Sequence, residues 1–199
     1  MEATYKKIAQ VQNYLARKEG GKIDKLKLVK LIYLADRYHI RKYGRLVTGD
    51  YYFAMQYGPV GSVTKDIAGF SEYLAPEELE YAQKYLAPLG GDTNTIISVN
   101  EVDGDELSET DVEALDFAYQ TFGSRDSVDL VELTHEYPEW SKRKGQLDLG
   151  ASRVLIDNVD FFENPANFRD DKFALDSDFL AESKEIYERR AAVNKKLAA

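Results

Sequence analysis

The 199-residue chain contains no cysteine. Disulfides, thiolate metal sites and a cysteine nucleophile are therefore excluded, and with them the disulfide-stapled secreted folds. Histidine is almost as scarce, at two residues, His39 and His135. Asp36 and His39 lie one helical turn apart, but no third and fourth ligand accompany them, so no metal is expected. His135-Glu-Tyr-Pro-Glu139 lacks the second histidine of a zinc-protease helix, and its proline forbids the register. Long apolar runs are missing too; none approaches the roughly 20 residues that span a bilayer. The amphipathic start, MEATYKKIAQVQNYL, does not read as a secretory signal. These absences together suggest a cytoplasmic protein that does not enter a membrane.

Catalytic signatures are also lacking. There is no GxSxG, no P-loop and no Rossmann fingerprint, and no cofactor is expected. Asp103-Gly104-Asp105 fails as a calcium loop, because its first and last ligand positions would fall on Val99 and Thr110. An enzyme built on Tyr33, Asp36, His39 and Tyr57 would need a deep pocket shared by all four. The absences favour a binding protein over an enzyme.

The sequence does have charge in a lopsided arrangement and an abundance of tyrosine. The net charge is -9, yet residues 1–45 carry twelve Lys/Arg against four acids, so the front is +8 and the remainder -17. Such a split serves a polyanion site, or it neutralises itself when the two halves pack. The basic residues fall on several faces, which favours packing. Fourteen tyrosines suit an interface, since the ring packs while the hydroxyl still finds a partner.

Leu26–Val60 organises the chain. From Leu28 to Ala35 every residue but Lys30 is apolar or aromatic, so this helix, placed at about 25–43, belongs in a core. Asp24 is its N-cap and Gly44 its C-terminal stop. Helix 4–18 precedes it, closed by Gly20-Gly21. The short turn invites a helix-turn-helix comparison, but a helix this apolar has no face left for base edges, so nucleic acid is not the expected partner. Lys25, Lys27 and Lys30 crowd the positive end of the helix; either acids of the body offset them or this end awaits an acidic partner surface or a phosphate.

Tyr51 to Tyr57 alternates as a strand, with Tyr51, Phe53, Met55 and Tyr57 on one side. A turn is expected at Gly58-Pro59, then a helix capped by Ser62. A helix begins at Pro76, a loop runs from Pro88 to Asp92, and Thr95–Val99 forms a second strand able to join the first. Ser108-x-x-Asp111 is a capping-box variant opening a helix to about Phe122. A short helix capped by Ser127 runs to His135, and Ala151–Phe162 is a short helix or an extended segment. Glu163–Asp171 reads as a linker, and a last helix runs from Ser177 or Asp178 to about Leu197, with Phe179, Ile186 and Val193 seven residues apart and Leu180 and Tyr187 beside them. The fold class expected is mainly α with a small β component (α+β), a compact helical domain around the buried helix at about 25–43.

The pattern Lys27-Leu28-Val29-Lys30-Leu31-Ile32-Tyr33-Leu34-Ala35, then His39, Tyr43-Gly44 and Tyr57-Gly58-Pro59-Val60, resembles the Panacea (SocA-like) domain. Leu107-Ser-Glu-Thr-Asp111, Leu133-Thr-His135 and Trp140-Ser-Lys142 agree in kind and order, so the similarity covers roughly residues 5–145. It implies an antitoxin of a bacterial or phage toxin-antitoxin system that neutralises its toxin by direct binding. Toxins met by the family include translation-blocking enzymes related to alarmone synthetases. One member is an adaptor delivering its toxin to a protease, and some carry an added DNA-binding domain. The expected organisation is a Panacea-like domain at 1–162, with 163–199 a linker and C-terminal helix packed on it or used for a partner. The expected partner is a cognate protein toxin encoded nearby, in a heteromeric complex or with a homo-oligomer. Lys30 and Arg37, on the polar edge of the central helix, and Tyr51, Phe53 and Tyr57 are the candidate partner-binding residues.

Overall fold

The first helix, α1 (Tyr5–Lys18), buries more than the one apolar face its sequence shows: Ile8, Val11 and Leu15 are inside, and so are Gln10, Gln12 and Asn13. Such polar groups are tolerated in a core when bonded. Gln12 donates to the Thr64 carbonyl at 2.9 Å, and Asn13 to that of Asn100 at 3.0 Å. This is the arrangement in a computed structural model that describes residues 4–165 and 172–197. Gly20 and Gly21, at φ 87° and 94°, then turn the chain into a three-residue strand, β1 (Lys22–Asp24).

The central helix, α2 (Lys25–Tyr43), starts and stops where its residues dictate. The Asp24 carboxylate accepts from the Lys27 amide at 2.8 Å, and Gly44 ends the helix in the left-handed conformation at φ 62°. Leu28, Leu31, Tyr33 and Leu34 have no solvent exposure. Burying side chains of this size contributes about 1.5–3 kcal/mol each, which makes α2 the principal anchor of the core.

Strand β2 (Tyr52–Met55) follows, and the chain reverses at Gln56-Tyr57, not at the expected Gly58-Pro59. Gly58 and Pro59 belong to the returning strand β3 (Gly58–Gly61), with Ala54 opposite Pro59. Helix α3 (Ser62–Ala68) is not capped by Ser62. Asp50, twelve residues upstream, accepts from the amides of Val63 (3.1 Å) and Thr64 (2.7 Å) instead. A β-carbon on Gly61 would sit 2.4 Å from that carboxylate, so only glycine fits there.

After α4 (Pro76–Tyr85), the expected loop at Pro88–Asp92 is a hairpin joining β4 (Leu86–Leu89) to β5 (Asp92–Ser98). Strand β5 does not join β2. It lies between β1 and β4, Ile23 opposite Ile96, in one antiparallel sheet. The second sheet has the order β3-β2-β6, where β6 is Val154–Leu155. Helices α5 (Glu109–Phe122), α6 (Ser127–His135), α7 (Pro138–Ser141) and α8 (Lys144–Asp148) come between. Asp126, one residue before the expected Ser127, caps α6.

The charge split resolves by packing. Lys7 and Arg45 pair with Asp111, Lys18 with Asp116 and Lys42 with Glu113, so bases of α1, α2 and the turn after α2 meet acids of α5. The last helix, α9 (Ser177–Leu197), lies against the end of α2. Of the apolar positions read from the sequence, Leu180 and Tyr187 pack inward together with Ser183, while Phe179, Ile186 and Val193 are 41%, 43% and 55% exposed. Residues 166–171 of the expected linker lie outside the described residues.

Candidate functional site

The alternation from Tyr51 to Tyr57 survives folding. Tyr52 and Ala54 point into the core, while Tyr51 and Tyr57 stand 65% and 63% exposed. Phe53 is half-buried, with the Arg153 guanidinium 4.9 Å from its ring centre. Met55, Tyr57 and the nearby Trp140 continue this surface into a groove.

Lys30 and Arg37 are not on a polar edge. Their relative exposures are 1% and 0%, because α2 is packed against α5, α6, α9 and β3 and retains no wet flank at these positions. Arg37 Nη1 donates to both carboxylate oxygens of Glu139, at 2.5 and 2.6 Å, and Nη2 donates to the Glu163 carbonyl at 2.9 Å. Tyr33 donates to the same Glu139 carboxylate, and the Tyr137 ring covers the guanidinium at 4.2 Å. A pair so enclosed holds α2 to α7. Glu139, the partner that makes Arg37 tolerable inside, carries no periodicity that would single it out in the sequence.

The four residues of the possible catalytic set do not converge. Asp36 is buried and accepts from the Thr48 amide (3.0 Å), the Thr48 hydroxyl and Tyr52 (2.7 Å). Burial pushes its carboxyl up to about 6 against those bonds. His39 Nδ1 donates to the Arg45 carbonyl at 2.8 Å, leaving Nε2 to accept from Thr110 at 3.0 Å, and burial takes its pKa down to about 4. Tyr33 and Asp36 are inside, and Tyr57 is on the surface. Among the described residues no group of three or more His, Asp or Glu is placed to hold a metal, and no helix is long and apolar enough to cross a membrane.

The groove of about 1240 Å³ lies between the start of α2, the β2-β3 turn, α3 and α8. Its floor is apolar: Val29, Val60 and Ala68 form a small cluster of their own, flanked by Leu26 and Met55. Trp140 closes one side, its indole donating to the Met55 carbonyl at 2.9 Å. Behind it His135 stacks on the indole at 3.6 Å, and burial lowers its pKa to about 4. Lys30 enters the floor from below. Its ammonium donates to the Pro59 carbonyl at 2.8 Å and, among the described residues, makes no ion pair. Burial brings its pKa down to about 7. Gly58, at φ 94°, makes room for it: a β-carbon there would lie 2.7 Å from Thr134 Oγ1 and 2.8 Å from Lys30 Nζ. Two further apolar side chains are exposed, Leu149 just after α8 and Leu155 on β6 opposite Phe53.

The sequence model of the family described as "Antitoxin SocA-like, Panacea domain" matches residues 28–141, more than half of the chain. Curated proteins and solved structures give no match. The matched region runs from the core of α2 through the β2-β3 hairpin to Trp140 and Ser141, and so contains both the buried Arg37–Glu139 pair and the groove floor. The chain belongs to the SocA-like antitoxin family with a Panacea domain.

Proposed function

We propose that this protein is a cytoplasmic antitoxin that neutralises a cognate protein toxin by direct binding, and that the β2-β3 surface with its adjoining groove is the contact. Family membership supports the antitoxin role. The observation that carries the location is the run of exposed or half-exposed Tyr51, Phe53, Met55 and Tyr57 beside an apolar groove. Aromatic residues and Met are enriched at interface centres, and a contiguous exposed apolar patch marks an interaction site. In this reading the protein acts by occupying its target rather than by chemistry, and its acidic body favours a target with a basic working surface, as in an enzyme acting on tRNA or nucleotides. Residues 1–162 form the toxin-binding domain, with α9 docked on it.

Co-expression tests this. The product of the neighbouring gene should arrest growth alone, be harmless with this protein, and co-purify with it. Tyr57→Lys should abolish neutralisation while leaving the melting temperature within about 2 °C. A harmless neighbour, or neutralisation without a complex, would refute direct binding. A bound toxin that disappears over time in cells would instead assign delivery to a protease.

A further inference from the structure

Among the described residues Lys30 faces no carboxylate, which sets it apart from the buried Arg37. A fully buried lysine ordinarily faces a carboxylate, because an uncompensated ammonium inside a protein is costly. The other buried cations follow that rule or are enclosed by carbonyls: Arg37 has Glu139, and Arg41 has the carbonyls of Phe161 and Glu163 with Asn164 Oδ1. Lys30 has one carbonyl for three N–H donors.

The charged groups around the groove do not supply what is missing. At the start of α2, Asp24 is engaged as the helix cap, and Lys25 donates to the Thr93 carbonyl at 2.8 Å. On α8, Lys144 and Asp148 pair with each other at 2.6 Å. Helix α3 contributes Lys65 and Asp66, which cancel. His135 from α6 is held neutral at pH 7 by its burial. The floor therefore keeps an excess of positive charge, partly withdrawn at neutral pH because burial loosens the Lys30 proton, on a molecule whose net charge is -9. The end of α2 adds to it, since the N-terminus of a helix is itself positive.

We propose that the groove receives a segment of the partner protein in which a carboxylate side chain, flanked by apolar residues, reaches Lys30. This rests on the antitoxin reading for the identity of the partner. The apolar floor selects a peptide over nucleic acid, which would require a row of phosphate contacts where Val29, Val60, Ala68 and Met55 offer none. The volume exceeds what a small ligand needs and matches a length of extended chain. The carboxylate completes the hydrogen bonding of the ammonium and restores its proton, while the flanking apolar side chains cover the cluster around Val60.

The test uses the full chain with ¹³Cε-labelled lysine and two blocked peptides, acetyl-Ser-Leu-Asp-Leu-Ser-amide and its Asn counterpart. Inorganic phosphate is the control. The Asp peptide should shift the Lys30 resonance toward the ammonium form and bind at least tenfold more tightly than the Asn peptide. Lys30→Met should remove that preference. Lys65→Glu, a change at the exposed rim that leaves the core untouched, should weaken the Asp peptide about threefold or more. Equal binding of the two peptides, or a Lys30 shift with phosphate and none with the Asp peptide, overturns the proposal. With the neighbouring gene product, neutralisation lost in Lys30→Met but folding retained supports it. Full neutralisation by Lys30→Met overturns the carboxylate anchor and leaves the antitoxin reading standing. A harmless neighbour alongside an Asp-selective peptide shift overturns the antitoxin reading alone.

Discussion

Replacing Lys30 by Met should make the protein more stable. Methionine keeps the length of the side chain and its packing while deleting the buried charge. In the unfolded chain a lysine titrates near 10.4; in the fold Lys30 titrates at about 7. The folded state therefore releases a proton that the unfolded state keeps, and between pH 7 and about 10.5 stability rises with pH. At 1.36 kcal/mol per pKa unit, the difference costs the folded protein about 4–5 kcal/mol at neutral pH. The substitution removes that cost but leaves the Pro59 carbonyl without its donor, a loss of about 1–3 kcal/mol. The balance is a gain of about 1–4 kcal/mol, or a rise of about 2–16 °C in melting temperature for a chain of this size. Circular-dichroism melts of both proteins at pH 6, 7, 8.5 and 9.5 measure it. The advantage of the variant should be largest at pH 6–7 and shrink steadily toward pH 9.5. A variant that melts below the wild type at pH 7, with a difference independent of pH, would show that Lys30 is a satisfied structural residue.

The remaining predictions concern other parts of the core. Glu139→Gln should cost about 3–5 kcal/mol in urea unfolding, because it leaves Arg37 as an uncompensated buried charge; a loss below about 1 kcal/mol would mean that the pair does not hold α2 to α7. Asp36, raised to about 6, keeps a proton in the fold that the unfolded chain has lost above about pH 4. Its contribution to stability should therefore fall by about 3 kcal/mol as pH rises from 4 to 6 and stay level above; comparing Asp36→Asn with the wild type across that range isolates it, and parallel curves would count against the assignment. Gly44→Ala should cost about 2 kcal/mol or more and expose α9 to limited proteolysis, since its β-carbon would meet the Ser183 carbonyl at 2.7 Å in a left-handed backbone. Unchanged protection of α9 would show that the helix is held elsewhere.

How far the sequence discloses this fold depends on whether the controlling interaction is local. The bounds of α2 are legible because Asp24 and Gly44 act within one turn of the helix they delimit. The box at Ser108 and Asp111 is legible for the same reason, each side chain bonding the other's amide. The start of α3 is not, because its capping carboxylate, Asp50, comes from before the preceding hairpin. Strand β1 is three residues long and has no period to detect; only its pairing with β5 defines it. The same distinction applies to the site. Alternation identifies Tyr51, Phe53 and Tyr57 as one face, whereas Lys30 and Arg37 look like the wet side of a helix until α7 and β3 close over them. Trp140 and the groove depend on tertiary closure and have no local signature.

The segment that leads into the last helix is attached in two independent ways. Among the described residues, Arg37 and Arg41 grip the segment beyond α8 through the main-chain carbonyls of Phe161, Glu163 and Phe173 and through the Asn164 side chain. Every residue supplies a carbonyl, so these bonds do not themselves depend on which side chains the segment carries; Phe161 and Phe173 are fixed for a separate reason, their burial in the core. The guanidinium groups need the segment: a chain cut at residue 162 would leave Arg41 with only the Phe161 carbonyl of its four acceptors among the described residues. The tail is thus bound twice over, as backbone by the two guanidinium groups and as side chains by the burial of Phe161, Phe162 and Phe173, so that neither a cut nor a polar substitution at these three positions would leave α9 firmly seated.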